Sequence, residues 1–337
     1  MTETLTVAAP AKLNLFLHIT GRRADGYHEL QTLFQLLDFG DTLHFTRTAS
    51  GDITLDDGGL DIPAHENLIV RAARALQSGN LGVDIRLEKR IPAGGGLGGG
   101  SSDCATALLA LNQLWELGHS SQALMEIGAR LGADVPVFVG GRTAWAEGVG
   151  ERLTPVDMPA RWYLVLVPQI HVSTGKVFSH PQLTRNSAPI KMAAFFDGHS
   201  RNDTQPLVRE LYPEVDKALK MLGKFGEARL TGTGACVFTQ LRDREQAEAI
   251  QAMLGSLMAQ AFGNTATPTL RSLLEGKPST VVHPSSCIRD VGHLMAENRK
   301  AALIVEDGAL IGIFGFKDMM TRAVAKELDL DTTEVSA

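Results

Sequence analysis

Three residue patterns in this chain are suited to chemistry on a phosphate group. In the first, Pro92-Ala93-Gly94-Gly95-Gly96-Leu97-Gly98-Gly99-Gly100-Ser101-Ser102, six of the seven positions 94–100 are glycine. So little side chain lets successive backbone N–H groups turn toward one anion at the start of a following helix. No Gly-Lys-Ser/Thr follows, which excludes a Walker A loop, and no Gly-x-Gly-x-x-Gly opens a Rossmann unit here. A flexible linker could share this composition. Linkers are rarely flanked by both a strand and a capped helix, so phosphate binding is the reading adopted. The second pattern is Lys12 and Asn14 in Pro10-Ala11-Lys12-Leu13-Asn14-Leu15, on one face of a strand because side chains repeat every second residue. The third is a carboxylate, Asp134, in the otherwise apolar Leu131-Gly132-Ala133-Asp134-Val135-Pro136.

Each pattern has a plain structural alternative. A lysine among apolar residues is costly to bury unless paired, and many such residues snorkel to the surface. Asp134 could be a turn residue or a helix cap. Asp25-Gly26-Tyr27-His28-Glu29-Leu30 could be a polar turn with a satisfied histidine. Thr231-Gly232-Thr233-Gly234-Ala235-Cys236, a second glycine turn, is weak by itself.

Elements of both periods must position these groups. Lys12 to Ile19 reads as a strand ending at Gly21, and Val83 to Leu87 as an alternating strand closed by Pro92. Ser101, Ser102 and Asp103 offer N-caps for a helix whose stripe is Ala105, Leu108, Leu109 and Leu111, running through Trp115. Helices are expected at Asn67–Leu76, Ser120–Leu131, Pro213–Leu222 and Glu245–Gln260. Strands are expected at Leu43–Phe45, Ile53–Leu55 and Tyr163–Pro168, and on both sides of the turn at Gly232. The 337 residues suffice for two or three domains. Net charge of −6 argues against nucleic-acid or anionic-membrane partners. Cys104, Cys236 and Cys287 form no Cys-x-x-Cys pair, which fits neither a disulfide framework nor a zinc site. With no membrane-length apolar stretch and no basic leader before Pro10, a cytoplasmic protein is expected.

Taken in order, these segments resemble the GHMP small-molecule kinases. Pro10-Ala11-Lys12-Leu13-Asn14-Leu15 and Asp25-Gly26-Tyr27-His28-Glu29-Leu30-Gln31-Thr32-Leu33-Phe34-Gln35 are similar to the branch that phosphorylates 4-diphosphocytidyl-2-C-methyl-D-erythritol. The resemblance runs from about Thr6 to Met258. It implies an α+β fold of two lobes: a ribosomal S5 domain 2-like N-terminal lobe at 1–157 that binds ATP, and a ferredoxin-like C-terminal lobe at 158–262. It also implies an ATP- and Mg²⁺-dependent kinase acting on the 2-hydroxyl of that substrate in non-mevalonate isoprenoid biosynthesis. In that frame Lys12 and Asp134 are catalytic. Asp134 is the base that takes or orients the hydroxyl proton, and Lys12 sits against it and stabilises charge on the transferred phosphoryl. The run Pro92, Ala93, Gly94, Gly95, Gly96, Leu97, Gly98, Gly99, Gly100, Ser101 and Ser102 wraps the ATP phosphates. The two serine hydroxyls are available to phosphate or Mg²⁺, no protein metal site is expected, and Asn67 contacts the nucleotide. Asn14, Tyr27, His28 and Phe34 receive the cytidine diphosphate side, with Thr174, Gly232, Thr233 and Gly234 completing the pocket. Kinases for homoserine, mevalonate or a sugar fit Asp25-Gly26-Tyr27-His28 less well.

Two stretches depart from that family. After the helix at Glu245–Gln260 the family continues into a last strand and a Ser-Pro-Leu-His-like ending. This chain turns instead into a Gly, Asn, Thr, Pro and Ser-rich linker at 263–278. An absent edge strand would leave part of the second sheet uncovered. Residues 279–337 resemble a single CBS motif, which works in pairs and so implies self-association through the tail. Asp318 matches the family's ribose-contacting acid, but Gly315 stands where a Ser or Thr belongs, so a folded appendage without ligand is the expectation. The competing function is a nucleotide-responsive binding protein with this tail as sensor and a defective kinase core; Lys12, the glycine loop and Asp134 all being present argues against it.

Overall fold

The computed structural model describes residues 3–261 except 61 and 160, and three strand segments at 280–282, 302–306 and 309–314; side chains are described as far as residue 254. Two compact units divide the chain, residues 1–251 and 252–337. The first opens with β1 (Thr4–Arg22) and β2 (His28–Thr48), long antiparallel strands with register shifts at Pro10/Lys12, Asn14/Leu17 and Ile19/Gly21. Then come β3 (Ile53–Asp56), α1 (Leu68–Leu76), β4 (Gly82–Glu88), α2 (Gly99–Leu114), α3 (Ser121–Leu131), α4 (Val135–Gly140), β5 (Ala144–Gly148) and β6 (Arg152–Pro155). The sheet order is β3-β4-β2-β5-β6, with β1 paired to β2, and only β3–β4 is parallel. Alternation in β4 turns Val83, Ile85 and Leu87 into a core where they meet Leu43 and Phe45 of β2, Ile69 and Ala73 of α1, and Leu108 and Leu111 of α2.

The second half continues with β7 (Trp162–Leu166), α5 (Thr174–Ser179), α6 (Met192–Phe196), α7 (Gln205–Leu211), α8 (Pro213–Leu222), β8 (Ala228–Leu230), β9 (Val237–Leu241) and α9 (Arg244–Ala261). Its antiparallel sheet has the order β7-β9-β8. Cys236 and Phe238 pack with Ala11, Leu13, Leu15 and Phe16, so β1 joins the two sheets through one buried cluster. Residues 11–19 are buried without alternation because both faces of β1 are covered. Its outer edge is met by Leu17 N donating to Arg201 O and Asp203 N donating to Leu17 O.

Several elements differ from expectation, β2 among them, because only Leu43–Phe45 of its length was expected as strand. Helix α2 starts at Gly99, with Gly98 as its N-cap at φ 75°, and no side chain caps it. Ser101, Ser102 and Asp103 therefore lie within the first turn, because the glycines themselves supply the left-handed entry. Leu109 is exposed, and the buried stripe is Cys104, Ala105, Leu108, Leu111 and Leu114. Strand β1 begins eight residues before Lys12 and passes through Pro10. In the second unit, β10 (Thr280–Val282) pairs in parallel with β11 (Ala302–Glu306), which pairs antiparallel with β12 (Ala309–Phe314). The linker at 263–278, Gly315, Asp318 and Cys287 lie outside the described residues, as does most of the CBS-like pattern.

Candidate active site

The glycine run folds as a tight loop of alternating hand. Gly94, Gly96 and Gly98 have φ of 68°, 79° and 75°, so left-handed residues alternate with Gly95 and Leu97. Backbone of alternating hand makes the concave nest of N–H groups that receives phosphate. Its carbonyls are held from behind. Gly95 O accepts from Cys236 N at 3.0 Å, Leu97 O from Lys12 N at 3.0 Å, and Gly96 O from Lys12 Nζ at 2.9 Å and Thr231 Oγ1 at 3.3 Å. The loop is thus clamped between β1 and the second glycine turn. A side chain on Gly96 would lie 2.4 Å from Thr231 O, which is why the residue there is glycine.

Lys12 stands at this junction, 3 % exposed. Its ammonium meets Asn14 Oδ1, Gly96 O and, at 3.3 Å, Asp134 Oδ2, and it lies 5.4 Å from the Phe34 ring centroid. Three N–H groups with three acceptors satisfy a buried cation. Asp134 occupies the N-cap position of α4, yet its carboxylate makes no capping bond and stays 32 % exposed. Pro136 removes one of the helix's orphan donors, which leaves the acid free for other work. Asn14 Nδ2 donates to Thr32 Oγ1, and Asn14 N donates to Thr231 Oγ1, both at 3.0 Å. Lys12, Asn14, Gly96, Asp134 and Thr231 therefore form one connected constellation.

The remaining residues fall around it unequally. Asn67 caps α1 by accepting from Ile69 N at 3.0 Å, and its amide nitrogen keeps its donors. Ser102 is fully buried and donates to Pro10 O at 2.6 Å, so its hydroxyl is committed to β1. Ser101 is partly exposed and lies beside Gly132, two residues before Asp134. Leu97 is a core residue, Pro92 is partly buried, and Ala93 and Gly100 are exposed. Phe34 is 2 % exposed and lies under Lys12. Thr174 Oγ1 is 2.9 Å from Thr233 Oγ1, which ties α5 to the turn holding Gly232 and Gly234. Tyr27 is 66 % exposed, with an open ring face.

Several participants carried no sequence signal. The Phe178 ring lies 5.1 Å from that of His28, and Arg185 Nε donates to His28 Nε2 at 3.0 Å across 157 residues. Asn202 Nδ2 donates to Leu230 O and Gly232 O, both at 2.8 Å, and so holds the second glycine turn. Beneath the first loop, Lys89 Nζ bridges the buried carboxylates of Asp41 and Asp103. Burial, opposed by Lys89, pushes the Asp103 carboxyl up to about 7. Cys104 and Cys236 are free and buried, with thiols pushed up to about 12 by burial. Among the described residues no helix is long and apolar enough to cross a membrane.

A loop of left-handed glycines beside a lysine–carboxylate pair, on this two-sheet scaffold, is the arrangement of a small-molecule kinase, and comparison with known proteins agrees. Residues 67–142 match the model of the GHMP kinases N terminal domain, and residues 185–260 match the GHMP kinases C terminal model. A 4-diphosphocytidyl-2-C-methyl-D-erythritol kinase of Pseudomonas aeruginosa (strain UCBPP-PA14) is 60 % identical over 257 residues, 75 % of this chain and 91 % of that protein. The enzyme of the same description from Pseudomonas entomophila (strain L48) is 55 % identical over 287 residues, 84 % of this chain and 99 % of that protein. A crystal structure of 4-(cytidine 5'-diphospho)-2C-methyl-D-erythritol kinase superposes with a TM-score of 0.61 at 35 % identity, covering 74 % of this chain and 96 % of that one. The chain belongs to the 4-diphosphocytidyl-2-C-methyl-D-erythritol kinase family of GHMP kinases.

Proposed function

We propose that this chain transfers the γ-phosphoryl group of ATP to the 2-hydroxyl of 4-diphosphocytidyl-2-C-methyl-D-erythritol, in non-mevalonate isoprenoid biosynthesis. The observation that carries this reading is the Lys12–Asp134 pair, 3.3 Å apart, against a loop of alternating left-handed glycines. The name shared by the close relatives supplies the substrate. Phosphoryl transfer depends on alignment and charge neutralisation more than on covalent participation by the protein. Residues 94–98 receive the phosphates on their N–H groups. Asp134, exposed enough to meet a ligand, accepts the proton of the attacking hydroxyl as its oxygen bonds to phosphorus and the bond to ADP breaks. Lys12, held by Asn14 and Gly96, faces the charge that builds on the transferred group. Asp134 and Ser101 carry the hard oxygen donors that would hold a Mg²⁺ ion bound with ATP, and the ion would supply neutralisation of phosphate charge. Ser102 is not among them, because its hydroxyl is spent on Pro10 O.

Tyr27, His28 and Phe178 lie where β2 begins and α5 ends, and we assign the cytidine side of the substrate to them. Thr174, tied to Thr233 of the Gly232–Gly234 turn, is assigned to the rest of the substrate, and Asn67 to the nucleotide. The lobe boundary is placed at 157/158, between β6 and β7, and a cytoplasmic location follows from the substrate. The test is ADP release by the full chain with ATP, Mg²⁺ and the diphosphocytidyl substrate, with Asp134→Ala as control. Substrate-dependent turnover lost in the control supports the reaction and the base; a folded protein without turnover rejects both.

A further inference from the structure

His28 is held by an unusual neighbour for a base-reading residue. Arg185 donates from Nε to His28 Nε2 at 3.0 Å. The other edges of the guanidinium are occupied as well. Nη2 donates to Phe178 O at 2.8 Å and His180 O at 2.7 Å, and Nη1 donates to Leu183 O at 3.1 Å. Arg185 is therefore fixed in place by the backbone around α5, and its position does not depend on His28. A guanidinium has five donors, no acceptor, and does not lose its proton in a protein. The imidazole nitrogen facing it must present a lone pair. The ring proton is then on Nδ1, and an imidazolium, with a hydrogen on both nitrogens, cannot keep this contact.

From this geometry we infer that Arg185 is a positioning residue that locks His28 as an Nδ1–H donor, so that the site selects a base presenting an acceptor: cytosine over uracil. The inference rests on the proposed substrate and deepens it. Cytosine N3 is unprotonated and accepts a hydrogen bond; uracil N3 carries a hydrogen and would oppose the Nδ1–H with a second donor. Among the described residues no hydrogen bond occupies Nδ1. The Phe178 ring, 5.1 Å away and tilted by 32°, limits rotation of the imidazole. His28 also has its basicity lowered, chiefly by burial and next by the charges of Arg185 and Arg22, which favours the neutral ring. A histidine free to exchange tautomers could accept from uracil N3–H through the same nitrogen. The lock removes that option, and a donor facing a donor leaves both without a partner, a larger penalty than a weak contact would carry.

The experiment uses the full chain with ¹⁵N-labelled histidine. The ring nitrogen shifts of His28 in the wild-type protein should place the proton on Nδ1, and a proton on Nε2 overturns the inference outright, with no variant needed. Calorimetric titration with CDP and with UDP should then show a wild-type preference for CDP on the order of 10- to 100-fold. In Arg185→Met that ratio should collapse to within about threefold while ATP affinity stays unchanged, a pattern that general loosening of α5 would not produce. Equal wild-type affinity for CDP and UDP, or Arg185→Met keeping the wild-type ratio, overturns this inference and leaves the kinase reading standing. A folded protein that binds neither nucleotide overturns the substrate assignment itself and the selectivity built on it.

Discussion

Lys12 Nζ and Asp134 Oδ2 stand 3.3 Å apart across a sharp gradient of burial: the lysine is 3 % exposed and the aspartate 32 %. The cation is fixed from inside, by Asn14 and the Gly96 carbonyl, while the acid faces outward from the start of α4. A pair placed this way differs from a structural salt bridge, in which both partners would be anchored. One partner is held still and the other remains able to meet a ligand.

Lys12→Met should therefore separate catalysis from folding. The methionine keeps most of the volume beside Phe34, so the protein should stay folded, with a melting temperature lowered by the acceptors it leaves unpaired. Turnover should fall on the order of 10²- to 10³-fold, as when one charge-stabilising donor is lost from an active site. Steady-state kinetics beside a thermal melt would measure both. A variant losing less than about tenfold would remove Lys12 from the transition state.

Gly96→Ala tests the loop itself. The glycine sits at φ 79°, where an L side chain is strained, and its new methyl carbon would lie 2.4 Å from the Thr231 carbonyl. Backbone on both sides must move, which pulls the loop from the clamp made by Cys236 N and Thr231 Oγ1. The expected result is at least a tenfold loss of ATP affinity with roughly 1–3 kcal/mol of destabilisation. Nucleotide titration of the variant decides it, and wild-type affinity would show that the loop does not hold the phosphates.

The second glycine turn depends on Asn202. Its amide donates to Leu230 O and Gly232 O and accepts from Thr204 N and Thr204 Oγ1, in a residue only 4 % exposed. Asn202→Ala leaves several buried polar groups without partners, at about 1–3 kcal/mol for each one that water cannot reach. The melting temperature should drop by several degrees. KM for the substrate should rise more than KM for ATP if Thr233 and Thr174 complete the substrate pocket as proposed. Equal changes in both would place this turn outside substrate binding.

What could be read in the sequence divides by physical cause. The glycine loop, Lys12, Asn14 and Asp134 were legible because each is a local anomaly: a run without side chains, a charge in an apolar strand, an acid in an apolar turn. The caps of α2 were misplaced because the serines looked like capping residues, whereas the preceding Gly98 makes the left-handed entry by itself. Ser102 looked available and is consumed by Pro10 O, a contact that exists only once β1 lies beside α2. Arg185, Asn202 and the Lys89–Asp41–Asp103 cluster left no local trace. Their partners are brought together by the strand pairing of β2 with β4 and by the packing of the second half on β1, and nothing in the local text of Leu183-Thr184-Arg185 points to His28.

That cluster yields the last prediction. One ammonium, Lys89, serves two carboxylates. Asp41 is the better satisfied, accepting also from Arg90 N and Ile91 N, while Asp103 Oδ1 is buried with no partner. Burial, with the nearby charge of Asp41 adding to it, raises the Asp103 carboxyl to about 7 from an ordinary 3.8, against the pull of Lys89. The sign follows from linkage. Between about pH 4 and 7 the folded protein holds this proton and the unfolded chain does not, so stability from this group is present at low pH and lost as pH rises through about 7. The loss amounts to a few kcal/mol at most. Asp103→Asn keeps an acceptor for Lys89 and cannot ionise. It should melt at a higher temperature than wild type at pH 8, and the difference should shrink toward pH 5. Melting curves of both proteins across that range settle the point: a variant less stable than wild type at pH 8 would mean that Asp103 is a charged partner of Lys89, and that the loop above it rests on an ion pair instead of a shared proton.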